Sequence, residues 1–165
     1  MINNTSADFS KIFFIAFDFD GVFTDNAVYT DQQGQEMVRC DRSDGIGLAR
    51  LSAIGVPSVV ISTESNPIVQ VRCQKLKIPC YYGVSDKLNK LKQVMTEYKI
   101  KSAHTAFVGN DINDLAALNY VGFPIAVADA YHDIKDIACW CTTKPGGYGA
   151  VREICDRIVN AHEDN

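Results

Sequence analysis

Short apolar runs alternate along this chain with longer stretches whose apolar residues recur every three or four positions, which predicts strands alternating with helices. Residues 12–17 form a continuous apolar run rich in β-formers, as expected of a central strand buried on both faces. Residues 57–61, 80–82, 105–108, 124–127 and 138–142 read as further strands. Residues 27–29 and 37–40 flank a polar turn at 31–35 and predict a β-hairpin over about 27–40. Helices are predicted over 43–54, capped by Ser43, with Ile46, Leu48, Leu51 and Ile54 inward and Gly55 as the stop. Asn66-Pro67 starts another, to about residue 77. Ser85 caps a helix carrying Leu88, Leu91, Val94, Met95 and Tyr98. Helical spacing also marks 111–119, 133–137 and 148–161, the last with Val151, Ile154, Ile158 and Val159 inward.

Regular alternation of this kind implies an α/β fold: one Rossmann-like, doubly wound parallel sheet with helices on both faces. The 165 residues fit one domain, residues 1–165, with the hairpin as a small insertion. Ligands of such sheets bind outside the carboxyl ends of the strands. Residues that combine unusual polarity with a place just after a strand are therefore the candidates for chemistry.

Composition narrows the classes. Apolar residues make up 47% and charged residues 22%, an ordinary globular balance. The formal charge of −4 gives no general attraction to nucleic acid or an anionic membrane, so any anion must be held by a local site. No apolar run reaches the ~18–20 residues of a membrane span, and the polar start of the chain lacks the pattern of a signal peptide. Residues 1–10 are expected to be flexible. The six cysteines read as free thiols of a reducing, cytoplasmic environment. Cys139 and Cys141 flank Trp140 too closely for half a zinc site, and strand alternation would turn both toward the core. The three histidines show no ligand-like grouping.

Four polar segments meet the strand-end criterion. Asp18-Phe19-Asp20-Gly21 follows the first strand, and two carboxylates two residues apart leave a strand end on one side. Their repulsion is eased by a cation, and such a pair suits magnesium. One carboxylate can attack phosphorus while the other moves a proton. An EF-hand is excluded, because positions five and twelve of that loop would be Val22 and Tyr29. Ser62, with Thr63, follows the second buried strand and can donate to a phosphate oxygen. Lys87 stands near a helix start, where a cation is disfavoured unless an anion is close. Gly109-Asn110-Asp111-Ile112-Asn113-Asp114 offers amide and carboxylate oxygens for the same cation. Singly, each segment also reads as ordinary turn, cap or solvated charge; together they stand in order at strand ends.

In that order the segments resemble the four motifs of the haloacid dehalogenase-like phosphatases, over nearly the whole chain from Ile12 to Val159. The resemblance implies that Asp18 is the nucleophile forming an aspartyl-phosphate. It makes Asp20 the general acid/base and a metal ligand through its carbonyl. Ser62 and Lys87 become the phosphate-holding residues, and Asp114 a ligand of Mg2+, with Asn110 and Asp111 beside it. The short spacers leave no room for a cap domain and resemble the capless subfamily of 3-deoxy-manno-octulosonate 8-phosphate phosphatases and the phosphatase-like domains of acylneuraminate cytidylyltransferases. That subfamily implies a homotetramer in which a neighbouring subunit covers the site.

Further segments resemble the sialic-acid side of the subfamily: Arg42 to Gly47, Val84 to Leu88, Val121 to Ala130 and the tail from Pro145 to Glu153. By this resemblance Glu64, Arg72 and Lys75 contact substrate, and Arg72 and Lys75 share a helix face suited to a sugar-acid carboxylate. The expected activity is hydrolysis of the terminal phosphate of a 2-keto-3-deoxy sugar acid, a nonulosonate 9-phosphate ahead of an octulosonate 8-phosphate. Asn110 departs from the family pattern, which places Asp there. This departure keeps a second expectation open: a non-catalytic tetramer-forming module beside a sugar-nucleotide synthetase, the acylneuraminate cytidylyltransferase.

Overall fold

A computed structural model describes residues 7–164. In chain order the first elements are β1 (Phe14–Phe17), β2 (Tyr29–Thr30), β3 (Glu36–Met37), α1 (Ser43–Ala53), β4 (Ser58–Ile61), α2 (Ile68–Leu76) and β5 (Cys80–Tyr81). They are followed by α3 (Lys87–Tyr98), β6 (Thr105–Gly109), α4 (Leu115–Leu118), β7 (Phe123–Ala126), α5 (His132–Ile137), β8 (Trp140–Cys141) and α6 (Ala150–Glu163). Six strands form one parallel sheet in the order β5-β4-β1-β6-β7-β8. The alternation read from the sequence is thus realised as a doubly wound α/β sheet.

β1 is buried at every position because neighbours lie on both edges and helices on both faces. Ile15 pairs with Ser58 on one side and Ala106 on the other; Phe17 pairs with Val60 and Val108. After β1 the chain builds outward through β4 and β5, then crosses to the far side of β1 to start β6. The strand order therefore reverses between β1 and β6, and Asp18 and Asn110 stand at that crevice. The main chain of Asp18 is still anchored there, donating to the Val108 carbonyl at 2.9 Å.

On the flank, α6 buries Val151, Ile154, Ile158 and Val159 as its periodicity predicts. Full burial of each such side chain contributes about 1.5–3 kcal/mol. The hairpin β2–β3 is short, and all four of its paired residues are exposed. Its turn is closed by Asp31, whose carboxylate accepts from the Gln33 and Gln35 amides.

Several local expectations are corrected. Ser43 is not the cap of α1: Asp41 takes the amide and hydroxyl of Ser43 at 2.8 and 2.6 Å. Ile46 faces outward, 57% exposed, because one turn of α1 lies off the core face. Asp86, not Ser85, caps α3 by accepting from the Asn89 amide at 2.9 Å. Residues 111–119 divide into a 3-10 turn, Ile112–Asp114, and a single α turn, α4. In β8 the larger apolar Trp140 takes the core face and leaves Cys139 and Cys141 only half-buried. Residues 1–6 of the segment expected to be flexible lie outside the described residues. Phe9, in contrast, is buried edge-on against Trp140 at 5.4 Å, under the Arg157 guanidinium. All six cysteines are free thiols.

Candidate active site

The carboxyl ends of β1, β4 and β6 and the start of α3 deliver side chains to one place. Lys87, at the first position of α3, puts its Nζ 2.7 Å from Asp18 Oδ1 and 2.7 Å from Asp114 Oδ1. All three side chains are buried. A cation is disfavoured at a helix start, but these two carboxylates outweigh both that and its burial. Burial alone would lower the Lys87 pKa; Asp18 and Asp114 raise it instead, so the ammonium stays charged. One ammonium serves two carboxylates, leaving a net negative charge in a dry place. Burial first, and the Asp114 charge second, push Asp18 up to about 7.

Asp114 is fully committed. Besides Lys87 it accepts from the Asn110 amide at 3.0 Å and the Asp111 amide at 3.4 Å through Oδ2. It fixes the β6 loop and the lysine together, and it stands behind the cavity rather than in its lining.

Asp20 emerges on the same side as Asp18, half-buried. Its carboxyl is raised by burial and then by the nearby Glu64, against a hydrogen bond from the Thr24 hydroxyl. Gly21 makes the turn between them possible, with φ +77° and the Asn110 Nδ2 only 1.9 Å from where a Cβ would stand. Any side chain there would expel Asn110 from its place against the loop.

Asp18, Asp20, Asn26, Ser62, Thr63, Asn110, Asp111 and Asn113 line a cavity of ≈90 Å³. The structure thus brings together six of the residues singled out in the sequence, with Lys87 and Asp114 directly behind. Ser62 is buried, donates its amide to the Tyr81 carbonyl at 2.8 Å and accepts the Glu64 amide on its hydroxyl at 3.1 Å, which leaves the hydroxyl proton free to donate. Sequence reasoning missed Asn26, and it placed Asn113 within the fourth polar segment without giving it a role of its own. The signal for Asn26 was its residue type in a turn, since Asn tolerates the left-handed backbone it adopts at φ 64°.

Three candidates lie elsewhere. Glu64 is near Asp20 electrostatically, but its carboxylate is used locally, accepting from the Asn66 amide at 2.7 Å. Arg72 and Lys75 line a separate cleft with Val38, Cys40, Arg42, Ile68 and Val71. Arg72 donates to the Asp41 carbonyl at 2.9 Å. Helical spacing did put the two cations on one face, but they line this cleft and not the cavity at Asp18.

Among the described residues, no three His, Cys, Asp or Glu side chains converge as a ready-made metal cluster, because Lys87 holds Asp114. The cavity still suits a hard divalent cation. Its lining is rich in oxygen, and the Asp18–Lys87–Asp114 group carries an uncompensated negative charge.

Comparison with known proteins decides the family. A family model described as haloacid dehalogenase-like hydrolase matches residues 80–154. The chain is 32% identical over 147 residues to the 3-deoxy-D-manno-octulosonate 8-phosphate phosphatase of Yersinia pestis, covering 88% of this chain and 79% of that one.

The chain is a haloacid dehalogenase-like hydrolase.

Two solved members of the family superimpose closely. One is the 3-deoxy-D-manno-octulosonate 8-phosphate phosphatase of Moraxella catarrhalis in complex with magnesium, phosphate and the sugar acid: TM-score 0.90, 32% identity, 95% of this chain and 91% of that one. The other is the cobalt-bound phosphatase of Haemophilus influenzae: TM-score 0.90, 30% identity, 94% and 92% of the two chains. Family and relatives together make this haloacid dehalogenase-like hydrolase an enzyme, a phosphoric monoester hydrolase. No described helix is long and apolar enough to cross a membrane.

Proposed function

We propose that the chain hydrolyses the terminal phosphate of a phosphorylated 2-keto-3-deoxy sugar acid through an aspartyl-phosphate on Asp18. The observation that carries this reading is the pairing of Asp18 with Lys87 at 2.7 Å, with Asp20 on the same rim of a cavity of ≈90 Å³. Lys87 opposes the rise of the Asp18 carboxyl and orients it, and its charge steadies the phosphoryl oxygens as the ester bond lengthens. An Asp18 oxygen forms the new bond to phosphorus while the bond to the sugar oxygen breaks. Asp20, whose carboxyl is raised by burial and by the nearby Glu64, gives a proton to that leaving oxygen. It then takes a proton from water, which attacks phosphorus and returns Asp18 as a carboxylate. Ser62 and Thr63 donate to the phosphoryl oxygens from the opposite wall. A magnesium ion held by Asp18, the Asp20 carbonyl, Asn110 and Asp111 would supply the charge neutralisation that lets an anion approach an anion. Asn110 would give that ion a neutral ligand.

Two features bear on the substrate. The relatives named above are octulosonate phosphatases, and Arg72 and Lys75, expected to contact a nonulosonate, stand in another cleft. The eight-carbon ester is therefore taken first. The exposed hairpin, with Val28, Tyr29 and Met37 each more than half exposed, supports a homotetramer that covers the cavity from a neighbouring subunit. Free thiols suit a cytoplasmic setting.

Phosphate release from octulosonate 8-phosphate and nonulosonate 9-phosphate, with and without magnesium, tests the reading. Turnover that needs magnesium and vanishes in Asp18→Asn is expected. Undiminished turnover in Asp18→Asn overturns the mechanism. Absence of release from any ester by the wild type returns the chain to a non-catalytic module, the reading that Asn110 favours.

A further inference from the structure

The loop that carries Asp20 does not rest on its own strand alone. Thr24, fully buried, accepts from the amides of Gly21 at 3.0 Å and Asn26 at 3.1 Å, and its hydroxyl bonds Asp20. The loop therefore moves as one piece. Beneath it lies a second backbone, Gly146-Gly147, packed without side chains. A Cβ at Gly146 would stand 1.9 Å from the Gly21 carbonyl oxygen and 2.9 Å from that of Thr24; one at Gly147 would stand 2.4 Å from the Asp25 amide nitrogen. The Gly147 amide donates to the Val22 carbonyl at 3.1 Å.

This second backbone is gripped from outside the reacting centre. The Asp129 carboxylate, in the loop after β7, accepts from the Gly146 amide at 2.8 Å. Arg39 donates to the Gly147 carbonyl. Glu153, in the first turn of α6, accepts from the Lys144 amide at 2.9 Å. Asp129 is exposed and touches neither the cavity lining nor the Asp18–Lys87–Asp114 group.

We infer that Asp129 is a positioning residue for the acid/base Asp20, acting through Gly146-Gly147 on the loop from Gly21 to Asp25. The inference rests on the phosphatase reading for its kinetic consequence, but not for the brace itself. A loop displaced by a fraction of an ångström leaves the phosphate pocket usable and spoils proton delivery to the leaving oxygen. The loss should therefore depend on the leaving group.

Two measurements on the full chain test this. The first is amide hydrogen exchange of wild type, Asp129→Ala and Asp129→Asn. Exchange in the peptide spanning residues 19–26 should quicken about tenfold in Asp129→Ala, with β6 and α3 unchanged, and should be restored in Asp129→Asn, which keeps an acceptor for Gly146. Unaltered exchange in that peptide overturns the brace, whatever the enzyme does. The second is kcat/KM on an alkyl sugar phosphate and on p-nitrophenyl phosphate, whose good leaving group needs little acid. Asp129→Ala should lose about tenfold more on the alkyl ester, again with rescue by Asp129→Asn. Equal losses on both esters mark a merely structural role and overturn the assignment. Failure of Asp18→Asn to abolish release would instead indict the phosphatase reading. Gly146→Ala, which forces the Gly21 carbonyl away, should exceed Asp129→Ala in both measurements.

Discussion

Two buried aspartates of this molecule, Asp18 and Asp44, are both pushed up to about 7, yet they sit in opposite kinds of surroundings. Asp18, at the end of β1, meets a buried ammonium and opens onto a cavity. Asp44, in the first turn of α1, meets only the Arg152 amide at 3.2 Å, and its Oδ2 is buried with no hydrogen-bond partner. Its pKa is raised by burial first, against that amide. The contrast teaches that burial and a raised pKa do not mark a catalytic group by themselves. A cation in contact and a route to solvent distinguish the working carboxylate from one that joins two helix starts at a cost to stability.

Four experiments probe that contrast, beginning with the largest effect. Asp18→Asn should lower kcat by at least about a thousandfold with the fold intact, measured by phosphate release and circular dichroism, because the nucleophile is gone. Asp44→Asn should leave kcat within about twofold; a comparable loss at both positions would erase the distinction.

Lys87→Met leaves two buried carboxylates facing each other. Stability at pH 8 should fall by about 3–5 kcal/mol in denaturant melts, and the deficit should shrink below pH 6 as one of the pair takes a proton. A deficit that ignores pH would mean that packing, not charge, is what Lys87 supplies.

Asp44 makes the third prediction through linkage. Its pKa is higher folded, about 7, than its ordinary 3.8, so between these values the folded chain holds more protons than the unfolded one. Stability from this group is therefore greatest at low pH, declines as pH rises from about 4 to 7, and is flat above. The cost at pH 8 is on the order of 4 kcal/mol. Asp44→Asn should remove this slope and gain stability at pH 8; retention of the wild-type slope rejects the assignment.

The smallest effect concerns Arg72, whose charge partly offsets the rise at Asp44. Arg72→Gln should move the inflection of that stability curve upward by about half a pH unit. No movement would detach Arg72 from Asp44.

Much of this arrangement was legible beforehand. The apolar run ending at Phe17, the polar pair Asp18 and Asp20 after it, and the later segments at Ser62 and Asn110 rest on strand ends, with Lys87 just beyond one at a helix start, and periodicity locates these well. Lys87 was a warning in the sequence: a cation at a helix start asks for an anion, and two are there. What spacing cannot convey is how an element is rotated about its own axis relative to its neighbours. Arg72 and Lys75 were placed on one face of α2, but the direction of that face follows from packing against β5. The caps failed for a local reason. Asp41 and Ser43, and Ser85 and Asp86, are all good capping residues one or two positions apart, and the chain used the carboxylate each time. Trp140 shows the remaining kind of error, in which one large ring overrides the alternation that would have turned its two cysteine neighbours inward.

The hollow at the sheet end has a practical corollary. At ≈90 Å³, lined by Asp18, Asp20, Ser62 and Asn110 among others, it suits a small tetrahedral anion rather than a whole sugar ester. Compounds such as vanadate or fluoroaluminate, which resemble the transferring phosphoryl group, should inhibit this chain. A larger inhibitor has to grow outward past Asn26 and Asn113, which line the same cavity.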